Sequence, residues 1–135
     1  MSLKPRLDAY RNADRHSPAE SDDPHAMISV LFDELIRKME QYRSSLQAGK
    51  DKDDERNASY ARSLSILHVL QSSLDFEQGG EIADNLFRLY EFARQQLLSS
   101  FRNNAPERLD AAISSLTEIR NAWHQINALE QSAVS

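Results

Sequence analysis

Apolar residues recur at helical spacing along four stretches of this chain, and polar or helix-breaking residues separate the stretches. Recurrence at positions i, i+3 and i+4 is typical of amphipathic helices, whereas half-buried strands alternate every second residue. The pattern predicts helices over about 24–47, 53–75, 81–102 and 105–130. Asp23 precedes Pro24 at the first of these starts, which suits an N-cap followed by proline at the first helical position.

Glycine and charged residues mark the boundaries between these helices. Gly49 ends the first helix, and the charged run Lys50–Arg56 is the solvated turn that follows it. Because glycine tolerates positive φ, the adjacent pair Gly79–Gly80 predicts a helix C-cap followed by a tight reversal. Asn104 and Glu107 have the spacing of a capping box for the last helix.

Four long helices with short connections predict an all-α fold, an antiparallel four-helix bundle over residues 23–130. Residues 1–22 contain prolines and acidic residues, so we expect a mobile N-terminal arm or short helix there, docked through Leu7 and Tyr10. The second helix is expected to turn an apolar stripe inward, formed by Ala58, Ala61, Leu64, Leu67, Leu70 (or Gln71) and Leu74, with Ile66 and Val69 beside it.

Composition narrows the class of protein. The 135 residues suffice for one domain with a modest core, and the net charge of −5 argues against nucleic-acid binding, which needs basic surfaces. The chain has no cysteine, no apolar run of the roughly 20 residues that span a membrane, and no apolar signal-peptide core. We therefore expect a cytoplasmic protein without disulfides, thiolate metal sites or membrane insertion.

No residue pattern predicts an active site, a metal or a cofactor. No glutamate has a histidine three residues after it, so the ligand pattern of di-metal helical bundles is absent. His16, His25, His68 and His124 show no ligand spacing. An alternative is a histidine phosphotransfer bundle that uses His68, although the residues that follow it include neither lysine nor glycine. The pattern therefore favours a protein that is not an enzyme.

The first and third helices carry more apolar residues than one buried face requires. We expect the surplus to line a groove that binds amphipathic helices of a partner. Its candidates are Ile28, Phe32, Ile36, Phe87, Leu98 and Phe101. Three alternatives remain open: these side chains are core, the N-terminal arm covers them, or they pair with copies of the chain in a structural homo-oligomer.

The order and spacing of several short motifs resemble the FliS family of flagellin export chaperones. The resemblance runs from Tyr10 to Ile126. Its pieces are Asp23-Pro24 with MISVLFDELI, then Ser73-Leu74-Asp75, Gly79-Gly80-Glu81-Ile82-Ala83, Asn85-Leu86, Leu89-Tyr90, and finally Arg120-x-Ala122-Trp123-x-x-Ile126. Two positions depart from the family pattern: Phe32 replaces a tyrosine, and Glu34 stands where glycine is usual.

The resemblance implies a cytoplasmic helical bundle that binds the disordered C-terminal region of flagellin. Such a chaperone prevents premature polymerisation and presents flagellin to the flagellar type III export gate. In the family, the segment matched by Leu7 and Tyr10 is associated with covering the groove and with contacting the gate. The family markers expected to determine the fold rather than touch the client are Asp75, Gly79, Gly80, Asn85, Tyr90 and Trp123. Asp75 and Asn85 are expected to hydrogen-bond around the corner, and Trp123 to fill the core.

Overall fold

The computed structural model describes the backbone of residues 24–49 and 53–134 and the side chains of residues 25–49 and 53–126. Its elements are α1 (Pro24–Ala48), α2 (Asp53–Ser72), α3 (Phe76–Asn103), a 3₁₀ turn (Pro106–Leu109) and α4 (Asp110–Val134). These ranges contain no strand, which confirms the all-α prediction. The expected arm, with Leu7 and Tyr10, lies outside the described residues.

Helix α1 is at the centre of the core and packs against α2 and α4. Helix α3 packs against the same two helices from the other side. The buried residues of α1 recur every three or four positions, so one face of the helix is continuously apolar. Burial of each large side chain contributes about 1.5–3 kcal/mol. The buried apolar residues of α1 are Met27, Leu31, Phe32, Leu35, Ile36, Met39, Tyr42 and Leu46.

The inward face of α2 differs from the predicted one in its first half. Ala58 and Ala61 are exposed, whereas Ser59 and Ser63 are buried. The Ser59 hydroxyl donates to the carbonyl of Glu55 at 2.7 Å, and the Ser63 hydroxyl donates to the carbonyl of Ser59 at 2.8 Å. A serine that satisfies its hydroxyl within its own helix can be buried without an unpaired polar atom. Apolar periodicity alone could not reveal this.

The reversal between α2 and α3 lies before the glycine pair rather than at it. Helix α2 ends at Ser72, and α3 begins at Phe76, with Asp75 as its N-cap. The Asp75 carboxylate accepts hydrogen bonds from the backbone N–H groups of Glu77 and Gln78, both at 3.1 Å. The predicted end at 75 and start at 81 are therefore wrong, because the aspartate cap starts a helical turn ahead of the glycines.

The glycine pair instead forms a kink one turn into α3. Gly80 has φ 50° and ψ −122°, a non-helical conformation that L-residues avoid. Gly79 donates its N–H to the carbonyl of Asp75 at 2.7 Å, which closes the first turn. A Cβ on Gly79 would lie 2.8 Å from the Cβ of Ala83. Both positions therefore require glycine, for different reasons.

The connection between α3 and α4 also differs from the predicted capping box. Asn104 adopts the left-handed conformation and its N–H donates to the carbonyl of Ser100, which ends α3. The 3₁₀ turn that starts at Pro106 has no side-chain cap. The α-helix starts at Asp110 rather than 105, because the chain passes through this turn first.

Two of the expected fold determinants lie elsewhere than predicted. Asn85 is exposed, and its side chain makes no hydrogen bond with the described residues. Trp123 is half-buried near the end of the bundle and does not fill the core. Tyr90 is buried in the main core, as a fold determinant would be. The indole N–H of Trp123 needs an acceptor, and it finds one at the bundle end rather than in an apolar interior.

Glu34, the departure from the family glycine, joins α1 to α2. Its carboxylate accepts hydrogen bonds from Arg62 Nε at 2.7 Å and from Arg62 Nη2 at 3.2 Å, a bidentate ion pair. The Glu34 side chain is largely shielded from solvent. Glutamate therefore has a structural partner at a position where glycine would lower helix stability.

Replacement of Gly80 by valine should lower the free energy of unfolding by about 1–3 kcal/mol, because valine cannot adopt this φ and ψ without strain. Urea unfolding followed by circular dichroism measures the loss. Gln78→Val is the matched control, since Gln78 is exposed and helical; it should cost only about 0.5 kcal/mol. Equal losses in the two variants would contradict the role of the kink.

A double-mutant cycle of Glu34→Gln and Arg62→Met should give a coupling free energy of about 0.5–1 kcal/mol. The value is modest because the Arg62 side chain is 41% exposed and solvent screens the pair. The coupling should fall when salt is raised from 0.05 M to 1 M. If the stability losses of the two single variants simply add up in the double variant at low salt, the ion pair contributes nothing to stability.

Glu91 makes stability depend on pH. Hydrogen bonds from Arg94 and Gln95 lower the pKa of Glu91 to about 2. Since the folded pKa lies below the unfolded value of 4.5, the stabilisation is present above about pH 4.5 and is lost as pH falls towards 2. Glu91→Gln should therefore be less stable than the wild type at pH 7, by less than about 1 kcal/mol at this exposed site.

The difference between Glu91→Gln and the wild type should shrink as pH falls from 5 to 3.5, measured by urea unfolding at each pH. Arg94→Met should remove most of this pH dependence, because Arg94 is the main cause of the lowered pKa. A difference that stays constant across this pH range would contradict the assignment.

Candidate functional site

An apolar groove of about 230 Å³ opens at the end of the bundle where α1 and α3 begin. The N-terminal part of α1 and the C-terminal end of α2 contribute to it, with walls from α3 and α4. Among the described residues, its lining contains one charged side chain, that of Asp75, so this surface favours recognition by apolar burial. The lining residues are Ile28, Phe32, Leu70, Ser73, Leu74, Asp75, Gly79, Ile82, Ala83, Leu86, Tyr90, Ile119 and Trp123.

The corner between α2 and α3 leaves the groove open. Asp75 starts α3 and Gly80 kinks it, and Ile82 and Leu86 follow on one helical face, four residues apart. Ile82 is 71% exposed, which is unusual for a large aliphatic side chain in a small bundle. A partner that covers Ile82 would gain about 1.5–3 kcal/mol from that side chain alone. Burial of the rim would therefore stabilise a bound apolar segment.

The floor of the groove is buried and, among the described residues, carries no charge. Phe32 is 1% exposed, and its ring lies 6.2 Å from the ring of Tyr90 in a tilted arrangement. Burial raises the pKa of Tyr90, so its hydroxyl stays protonated across the physiological range. Phenylalanine thus replaces the family tyrosine at a position where a second phenolic group would need a partner in an apolar interior.

One end of the groove is held by contacts between the first turn of α1 and the last described turns of α4. The Trp123 indole stacks on the His25 imidazole, with ring centroids 4.0 Å apart and an angle of 19° between the planes. Trp123 Nε1 donates to the His25 carbonyl at 3.0 Å, and His25 Nε2 lies 3.2 Å from the Trp123 carbonyl oxygen. We call this pair the His25–Trp123 clasp.

The predicted client-binding residues do not form one surface. Ile28 and Phe32 line the groove, the first half-buried and the second at the floor. Ile36 is buried in the core, so the expectation that it offers exposed surface is wrong; the stripe that carries it faces the neighbouring helices. Leu7 and Tyr10 lie outside the described residues.

The remaining predicted contacts lie on α3 but outside the groove. Phe87 is exposed and pairs edge-on with Phe76 at 6.1 Å, while Phe101 stacks on Tyr60 of α2 at 4.5 Å. Leu98 is half-buried and does not line the groove. The structure therefore separates the two halves of the predicted groove onto different faces of the bundle.

Sequence reasoning missed several residues of the groove. The groove is also lined by apolar residues that are not among the predicted client-binding ones: Leu70, Leu74, Ile82, Leu86 and Ile119. Leu70 and Leu74 belong to the stripe of the second helix that is predicted to face inward. One signal was available for Ile82, which lies two residues after Gly80, with Glu81 directly before it and Asp84 two residues after it. Such a residue lies where a helix start diverges from its neighbours. No pattern within one helix marks the others.

Across the described ranges, no group of three His, Cys, Asp or Glu side chains is placed to hold a metal ion. His68, the phosphotransfer alternative, is an exposed side chain on α2. No helix within those same ranges has the length and apolar character that crossing a membrane requires.

Comparison with known proteins agrees with the motif resemblance. The family model described as "Flagellar protein FliS" matches residues 6–130. The flagellar secretion chaperone FliS of Vibrio cholerae is 31% identical over 124 residues, which cover 92% of this chain and 90% of the relative. FliS of Salmonella typhimurium is 30% identical over 122 residues, covering 90% and 89% respectively. FliSB of Pseudomonas aeruginosa is 26% identical over 118 residues, covering 87% and 92%.

The family match spans most of the chain, and two relatives of nearly the same length share three residues in ten with it. The chain therefore belongs to the FliS family of flagellar secretion chaperones.

Proposed function

We propose that this protein is a cytoplasmic export chaperone for flagellin. It binds the disordered C-terminal region of flagellin, prevents premature polymerisation and hands flagellin to the flagellar type III export gate. The observation that carries the proposal is the apolar groove, with the exposed Ile82 on its rim and an uncharged floor. Membership of a secretion chaperone family supports the same function.

The groove fits a client that folds as it binds. An amphipathic helix presents apolar side chains at i, i+3, i+4 and i+7, and these can fill a groove whose own walls are helices. Ordering a disordered segment opposes binding, so the free energy gained from apolar burial must exceed this entropic cost. The ordering cost keeps the net binding free energy moderate, so binding is reversible. An exported client must be released again, which requires reversible binding.

Binding and release of this kind need no bond to be made or broken in the client. We therefore propose that the protein is not an enzyme and uses no cofactor. The exposed Phe76–Phe87 pair favours self-association as a second candidate function, because an aromatic pair on a free surface can pack against a copy of itself. Sedimentation across a range of protein concentrations distinguishes a dimer from a monomeric chaperone.

The N-terminal arm completes the proposal. By resemblance to the family, Leu7 and Tyr10 cover the groove until flagellin displaces them, and then contact the export gate. Deletion of residues 1–22 should strengthen binding of a flagellin peptide if the arm competes for the groove. Tyr10→Ala should change peptide binding while leaving helix content unchanged.

The central test is calorimetric titration of the full-length protein with a C-terminal flagellin peptide from the same organism. We expect saturable 1:1 binding with a negative heat-capacity change, the mark of apolar burial. Ile82→Glu should weaken binding by about tenfold or more, since it removes an aliphatic contact and places a charge against an apolar client. Because Ile82 is exposed, its replacement should leave the melting temperature nearly unchanged.

Phe92→Glu is the matched control. Phe92 is also an exposed apolar residue of α3, at 41%, but it does not line the groove. Binding should stay within about twofold of the wild type in this variant. The proposal fails if the full-length protein and the deletion of residues 1–22 both leave the peptide unbound. Equal effects of the two substitutions would place the binding site elsewhere.

A further inference from the structure

The His25–Trp123 clasp joins two residues that lie 98 positions apart in the chain and sits at the mouth of the groove. It combines a ring stack with a contact in each direction between one residue's side chain and the other's carbonyl. A carbonyl oxygen has two lone pairs, so the His25 carbonyl can accept the indole N–H as well as its own helical bond. The clasp thus fixes the position and orientation of the indole.

The ion pairs described between these parts of α1 and α4 are exposed to solvent. Asp33 lies 3.8 Å from Arg120 and 3.4 Å from His124, and all three side chains are between 32% and 48% exposed. Ion pairs at such exposure contribute little, because water screens them and long side chains lose entropy. Apolar packing of Ile119 against the core holds α4 in place here, and the clasp adds the directed contacts that orient the Trp123 side chain.

We propose that His25 is a positioning residue for client binding. It holds the Trp123 indole as the end wall of the groove, so that a client helix meets a preformed apolar surface. Without the imidazole, the indole keeps its hydrogen bond but loses the stack that sets its plane, and it samples positions that obstruct the groove or leave it. This inference rests on the proposed function of the groove, although its first consequence can be measured in the free protein.

The chain contains a single tryptophan, so its fluorescence reports on this site alone. In the free protein, His25→Ala should lower the fluorescence anisotropy of Trp123 and raise its acrylamide quenching constant by about twofold, because the indole gains motion and solvent contact. His25→Phe preserves an aromatic ring for the stack and the backbone carbonyl for the indole N–H. It should restore values close to those of the wild type.

The affinity for the client should rank the variants in the same order as the Trp123 fluorescence does. His25→Ala should weaken binding of the flagellin C-terminal peptide by about two- to tenfold, the range that one aromatic contact accounts for. His25→Phe should bind within about twofold of the wild type. His124→Ala is the matched control, since this exposed histidine on the next α4 position contacts Asp33 and does not line the groove. Thermal melts should confirm that each variant remains folded.

Nile red, a neutral apolar dye, separates the inference from the proposed function. If the wild type and the deletion of residues 1–22 bind the dye but neither binds the flagellin peptide, the flagellin proposal fails, and the dye then measures groove affinity in the variants. Weaker dye binding in His25→Ala, restored in His25→Phe, supports the positioning role. Unchanged Trp123 quenching in His25→Ala, or unchanged groove affinity for both probes, would overturn it. The proposal would also be overturned if His25→Phe folds but does not restore Trp123 quenching and groove affinity. The ring stack would then not be what positions the indole.

Discussion

Burial of α1 between α2 and α4 is the interaction on which the rest of the structure depends. Its apolar face extends from Met27 to Leu46, and the floor of the groove is part of that face. The ion pair of Glu34 with Arg62 and the His25–Trp123 clasp both attach neighbouring helices to this same helix. The floor of the groove therefore belongs to the helix with the most buried apolar side chains, whereas its rim is exposed at Ile82.

The corner between α2 and α3 gives the groove its opening. Asp75 starts α3 early, and Gly80 then redirects it, so the following residues are not carried straight into the core. Ile82 is left with most of its surface in water, although Ala83, the next residue, is buried. The bundle therefore leaves a large aliphatic side chain unburied at this end. Incomplete burial of this kind is the feature on which the proposed client binding rests.

The two departures from the family pattern have separate structural accounts. Phe32 supplies a ring to an apolar floor beside Tyr90, where another hydroxyl would need a partner. Glu34 faces α2 and pairs with Arg62, away from the groove lining. Neither change alters the apolar character of the groove, which agrees with membership of the family at identities of 24–31%.

The helical class, the number of long helices and four of their eight boundaries (24, 47, 53 and 102, each within one residue) could be read from the amino-acid pattern, because helix periodicity and helix breakers are local properties. The family could be read from it as well, since the spacing of motifs survives divergence. Which apolar residues remain exposed could not be read from it and depends on the packing of the helices. Ile36 and Ile82 both belong to helical stripes, yet one is buried and the other lies in water, because exposure depends on where neighbouring helices end. The clasp likewise required folding to bring together residues at opposite ends of the described chain, and no pattern within one helix encodes that contact.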